Sequence, residues 1–128
     1  MKIRVLLVDD EKDYVNSLFK QLVVRNYDVN AVYDGDEAIK MVHQHNFDVV
    51  LLDVLMPGKD GIKTFKEIKK IDPTVQVIIH TGHAKIDLAI DGLKSGICDY
   101  IIKPIDIDEL TEKIELACNR TTVKKPKV

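Results

Sequence analysis

The chain has 128 residues, 45% of them hydrophobic and 31% charged, with a net charge of -2 and an isoelectric point near 6.1. That length suits one ordinary domain with one core rather than two. The near-balanced charge argues against a nucleic-acid or membrane surface, and no stretch approaches the roughly 18 apolar residues of a membrane span.

The first apolar run is Ile3-Arg4-Val5-Leu6-Leu7-Val8, which stops at Asp9-Asp10. A run apolar on both faces predicts a central parallel strand. It is too short for the apolar region of a signal peptide, although Lys2 and Arg4 lie in it or before it. The expected location is therefore the cytoplasm. Tyr14, Val15, Leu18, Phe19, Leu22 and Val23 follow at helical spacing, with Asn26 as the stop. Asp28 to Val32 predicts a second strand, Asp34-Gly35 a turn, and Glu37 to His45 a helix with Ala38, Ile39 and Val42 inward. Asp48 to Leu52 predicts a third strand ending at Asp53. A loop with Pro57, Gly58 and Gly61 leads to a helix opened by Ile62, Phe65, Ile68 and Lys69, which ends before Pro73. Val75 to Ile79 predicts a strand, closed by His80-Thr81-Gly82. Lys85 to Lys94 predicts a helix stopped by Ser95-Gly96. Tyr100-Ile101-Ile102 predicts a short strand ending at Lys103-Pro104. The last helix is expected from near Ile107 to about Cys118, with Leu110, Ile114 and Ala117 on one face.

Five strands and five helices in strict alternation imply an α/β fold: a parallel sheet with helices on both faces and right-handed crossovers. The expected architecture is a doubly wound (βα)5 domain in the flavodoxin-like strand order 2-1-3-4-5, an order that alternation by itself leaves open. Cys98 and Cys118 do not make a disulfide framework and read as reduced, half-buried small hydrophobes. Lys124, Lys125 and Lys127 around Pro126 read as a solvated tail or the start of a linker. The expected division is a domain over residues 1–119 and a tail over 120–128.

In an open doubly wound sheet, ligands bind outside the carboxyl ends of the strands. Here those ends carry Asp9 and Asp10, then Asp53, then Thr81, then Lys103. Two carboxylates at about 4 Å repel by roughly 4 kcal/mol at an effective dielectric near 20. One lysine does not offset three acids. A divalent cation with oxygen ligands does, and Mg²⁺ (or Mn²⁺) suits one or two carboxylates plus phosphate and water. No Cys/His cluster argues for zinc, and His43 and His45 are spaced to point apart on a helix. The remaining groups suggest a reaction. Asp53 is a carboxylate nucleophile that gives an acyl phosphate, Lys103 stabilises the developing charge, and Thr81 offers a hydroxyl to a phosphoryl oxygen. Each feature also has a plainer reading: Asp9-Asp10 as a helix cap, Asp53 and Thr81-Gly82 as turn residues, Lys103 as a surface lysine. The four falling together at strand ends is what points to a site.

Taken in order, Val8-Asp9-Asp10, Leu52-Asp53-Val54-Leu55-Met56-Pro57-Gly58, Thr81-Gly82 and Asp99-Tyr100-Ile101-Ile102-Lys103-Pro104 resemble the receiver domain of bacterial two-component response regulators, over residues 3 to about 118. The resemblance implies that Asp53 is phosphorylated and that Asp10 and Asp53 ligate Mg²⁺ with the backbone carbonyl of Leu55. It also implies that Asp9 acts through water, that Thr81 and Tyr100 form a switch pair, and that the Lys103-Pro104 bond is cis. Leu55 and His83 stand where the family tunes phosphorylation and hydrolysis rates. The implied partners are a sensor histidine kinase or phosphotransfer protein, a downstream effector, and a second copy in a homodimer. The chain would catalyse only its own phosphorylation and dephosphorylation. A phosphatase of the haloacid dehalogenase type needs an acid/base Asp where Leu55 stands. A purely docking version of the domain would usually have lost a site residue. No glycine-rich phosphate loop follows the first strand, so a nucleotide or flavin site is not supported.

Overall fold

A computed structural model describes residues 2–53, 61–81 and 97–124. Among them, β1 (Arg4–Val8), β2 (Asp28–Val32), β3 (Val49–Asp53), β4 (Gln76–Thr81) and β5 (Asp99–Ile102) form one sheet. The sheet is parallel throughout, in the order β2-β1-β3-β4-β5. The expected strand order is therefore the one observed. The described helices are α1 (Lys12–Val24), α2 (Gly35–Gln44), α3 (Gly61–Ile71) and α4 (Ile107–Lys124). The helix expected over Lys85 to Lys94 lies outside the described residues.

Local chemistry sets the helix ends. Asn26 takes φ 72°, a left-handed backbone that Asn tolerates better than most residues. Its N–H donates to the Val23 carbonyl at 3.0 Å, and that of Tyr27 to the Leu22 carbonyl at 3.1 Å. That is the Schellman arrangement, and the buried pair Leu22 and Tyr27 packs beneath it. α2 starts two residues earlier than expected because the Asp34 side chain accepts from the Glu37 N–H at 2.8 Å. α4 continues past the end expected near Cys118, so Thr121 to Lys124 are helical. No glycine or proline interrupts it before Pro126. β4 likewise runs on through His80 and Thr81, which the sequence pattern assigned to a strand terminator. Both residues find partners, His80 opposite Asp53 and Ile101, and Thr81 opposite Ile102.

Period-two alternation divides the core between the two sheet faces. Leu6, Val8, Val50, Leu52, Val77 and Ile79 pack with Ala38, Val42, Phe65 and Ile68 of α2 and α3. Val5, Leu7, Val49, Leu51, Ile78 and Ile101 pack with Leu18 and Leu22 of α1 and with Leu110, Ile114 and Ala117 of α4. Burying each large aliphatic side chain contributes about 1.5–3 kcal/mol. By the same alternation, Asp53 and His80 continue the rows that face α1 and α4. Among the described residues no helix is long and apolar enough to cross a membrane.

Candidate functional site

The carboxyl ends of β1 and β3 carry the acids close together. Asp9, Asp10 and Asp53 each present a carboxylate oxygen, all within 4.8 Å of one another. Asp9 is fully buried, Asp53 is 5% exposed, and Asp10 is exposed. Capping does not account for the pair after β1. The first turn of α1 has no side-chain capping bond at Glu11. Instead Asp9 Oδ1 accepts the Glu11 N–H at 2.9 Å, which folds the loop back over β1.

Lys103 enters from the end of β5, where its bond to Pro104 is cis, as the resemblance implied. Its Nζ lies 2.7 Å from Asp9 Oδ2, 2.7 Å from Glu11 Oε1 and 3.2 Å from Asp53 Oδ2. Burial works against its charge, but these carboxylates outweigh burial and hold the ammonium above its ordinary range. The same lysine draws the Glu11 carboxyl below its usual range. One ammonium thus serves three acids, with Asp53 50 residues and Glu11 92 residues away in sequence.

His80 and Tyr14 complete the floor of the site. His80 is 2% exposed, with Nε2 3.4 Å from Asp9 Oδ2. Its ring stacks on Tyr14, with centroids 6.1 Å apart and planes at 19°. Lys103 Nζ lies 5.0 Å from the centre of the same Tyr14 ring. Burial takes the imidazole down to about 4, with Asp9 opposing and Lys103 reinforcing. Burial likewise pushes the Tyr14 phenol up to about 12. Asp9 Oδ2 and both His80 ring nitrogens are buried without an aligned hydrogen bond.

Asp9, Asp10, Asp53 and Lys103 therefore meet as the sequence predicted. Thr81 closes β4 with its backbone beside Ile102, and Tyr100 pairs with Ile79. The Tyr100 ring is 43% exposed. Leu55 and His83 lie outside the described residues. Sequence reasoning missed the parts played by Glu11, Tyr14 and His80. A signal for His80 existed: two residues beyond Ile78 in a strand, it had to share that residue's inward face.

Comparison with known proteins places this geometry. The sequence profile of the response regulator receiver domain matches residues 5–115. The transcriptional regulatory protein ZraR of Salmonella typhimurium is 40% identical over 120 residues, covering 94% of this chain and 27% of that protein. The chain thus spans about a quarter of that relative's length. A CheY-like response regulator receiver domain protein of Methanospirillum hungatei has a TM-score of 0.91 at 25% identity, covering 98% of this chain and all of that one. The receiver domain of the Francisella response regulator 1452 has a TM-score of 0.84 at 33% identity, covering 94% of this chain and 100% of that one.

Proposed function

The chain belongs to the response regulator receiver domain family, and from that premise we propose that it is a phosphorylation-dependent switch in two-component signalling with Asp53 as phosphoacceptor. One observation carries the reading. Asp53 sits almost buried at the end of β3, with an ammonium 3.2 Å away and two further carboxylates within 4.8 Å.

The donor is a sensor histidine kinase or a phosphotransfer protein. An Asp53 oxygen attacks phosphorus, the new P–O bond forms as the P–N bond to the donor histidine breaks, and the imidazole keeps the electron pair. Lys103 stands ready to balance charge on the transferring group. An all-oxygen donor set suits Mg²⁺ (or Mn²⁺), and the buried Asp9 Oδ2, close to Lys103 but without an aligned hydrogen bond, is an acceptor that a cation's bound water would satisfy. Asp10 and Asp53 would hold the ion, with the Leu55 carbonyl, and Asp9 through water. Once bound, it neutralises charge on the phosphoryl oxygens. Positioning and electrostatics are most of what phosphoryl transfer requires, so the domain needs no substrate beyond its donor. Its catalysis is confined to its own phosphorylation and dephosphorylation, with Leu55 and His83 tuning the rates.

Thr81 and Lys103 gain charge-assisted hydrogen bonds to the acyl phosphate, at about 1.5–3 kcal/mol each. Thr81 and Tyr100 couple that gain to the surface of β5 and α4, with the helix that the sequence predicts over Lys85 to Lys94. Exposed Tyr100, Ile102 and Leu116 support this face as the one read by an effector or by a second copy of the chain. The domain works in the cytoplasm and touches neither membrane nor nucleic acid itself.

The test is intact mass after incubation with Mg²⁺ and a small acyl-phosphate donor, alongside Asp53→Ala. We expect one phosphoryl adduct in the parent chain, none without Mg²⁺, and none in the variant. A folded parent chain that takes no adduct from either the small donor or a kinase would leave only a docking role.

A further inference from the structure

The mechanism above gives His80 no task, yet its surroundings are unusual for a core residue. Its ring is buried, the Val8 backbone carbonyl acts on it, and neither nitrogen makes a well-aligned hydrogen bond. Nε2 lies 3.4 Å from Asp9 Oδ2, itself buried and lacking an aligned bond. That separation is just beyond an ordinary N–H···O length. A potential donor and an acceptor therefore face each other across a gap that a small shift closes. The parallel stack on Tyr14 fixes the plane of the ring, and pairing with Asp53 in the sheet fixes its backbone.

Lys103 supplies the reason for the gap. An ammonium has three N–H donors, and three carboxylates already surround this one. When Lys103 turns toward a phosphoryl group on Asp53, the fully buried Asp9 loses its closest donor. An uncompensated buried carboxylate is costly. We infer that His80 is a positioning residue for Asp9: its Nε2–H takes over Asp9 Oδ2 when Lys103 leaves, and so keeps that carboxylate aimed at the cation. The inference rests on the phosphoacceptor reading above. A residue that merely filled the core would be replaceable by leucine.

The experiment measures Mg²⁺ affinity by calorimetry for the parent chain, His80→Leu and His80→Gln, with thermal melts to report folding. Removing such a supporting partner typically weakens metal affinity about 10–100-fold. We expect a loss in that range for His80→Leu and recovery to within about threefold for His80→Gln, whose amide keeps an N–H donor. Ring nitrogen NMR on the parent chain supplies a second readout that does not depend on either variant folding. The proton should sit on Nε2, exchange slowly, and shift when Mg²⁺ and then beryllofluoride are added. Unchanged affinity in folded His80→Leu, or a proton on Nδ1, overturns the inference while leaving the phosphoacceptor reading intact. A parent chain that binds no Mg²⁺ overturns both.

Discussion

The two ends of the sheet handle charge in opposite ways. At the amino end the described contacts of acids and bases are pairwise, although Asp28 and Asp72 also act on Arg4 from farther away. Arg4 grips Asp48 through Nε and Nη2, each at 3.2 Å, and through its own backbone N–H at 2.9 Å. Lys113 pairs with Asp99 at 3.1 Å. Lys69 donates to the carbonyls of Pro73 and Val75 at 3.0 and 2.8 Å. At the carboxyl end, one lysine is divided among three acids, and the most buried of these keeps an oxygen without an aligned bond. At the amino end each described ion pair closes within the chain. The carboxyl end holds more acid than base among the described residues. Local imbalance of this kind, set against balance elsewhere in the same fold, is the physical mark of a site.

Removing the overcommitted lysine should expose the contrast most. Lys103→Met takes away the ammonium beside the buried Asp9 and leaves at most the neutral His80 N–H in its place, and losing one partner of a buried pair costs about 3–5 kcal/mol. A chemical melt should record that loss, and the same variant should form the Asp53 adduct far more slowly. A stability change below about 1 kcal/mol, within the range of an exposed ion pair, would mean that the carboxyl end is no more strained than the amino end.

Mg²⁺ offers the complementary measurement. At 100 times its dissociation constant, a ligand of the native state alone stabilises by about 2.7 kcal/mol. For a domain of this size that raises Tm by roughly 6–15 °C. The rise should vanish in Asp53→Ala and survive in Arg4→Ala. A similar rise in both variants would place cation binding elsewhere.

Arg4→Ala should have a smaller effect, about 1 kcal/mol, because its partner Asp48 is still partly in water. Mg²⁺ affinity and adduct formation should not change. If they did, the two ends would be coupled through β1 rather than independent.

The smallest effect concerns reactivity rather than stability. Burial, followed by Asp48 and Glu115, pushes the Cys118 thiol up to about 11. Only the thiolate attacks, so below that value the reactive fraction falls roughly tenfold per pH unit. In a Cys98→Ser background, iodoacetamide at pH 8 should label Cys118 about 100-fold more slowly than an exposed thiol, with the rate climbing steadily toward pH 11. Labelling at the rate of a free thiol would mean that Cys118 opens to solvent.

Much of the site was legible because it depends on chain-local rules. A strand buried on both faces reads as an unbroken apolar run, so the acids that terminate such runs mark the strand ends. Asp9, Asp10, Asp53 and Lys103 were found that way. The boundaries that moved did so where tertiary pairing outweighed local pattern. His80 and Thr81 look like turn residues, but β3 and β5 supply them with partners on either side. Thr121 to Val123 are weak helix formers, yet they continue a helix already anchored by Leu110, Ile114 and Ala117.

By itself, then, the sequence determined the alternating architecture, the acidic strand ends and the identity of the phosphoacceptor candidate, because periodicity and termination are properties of short segments. Only the tertiary structure decided which groups share one ammonium and what lies beneath Asp9. Glu11 and Lys103 meet across 92 residues, and Asp53 and Lys103 across 50. His80 reaches Asp9 only because β3 lies between β1 and β4 in this register. Contacts of that range are set by strand order and register, which no local pattern specifies.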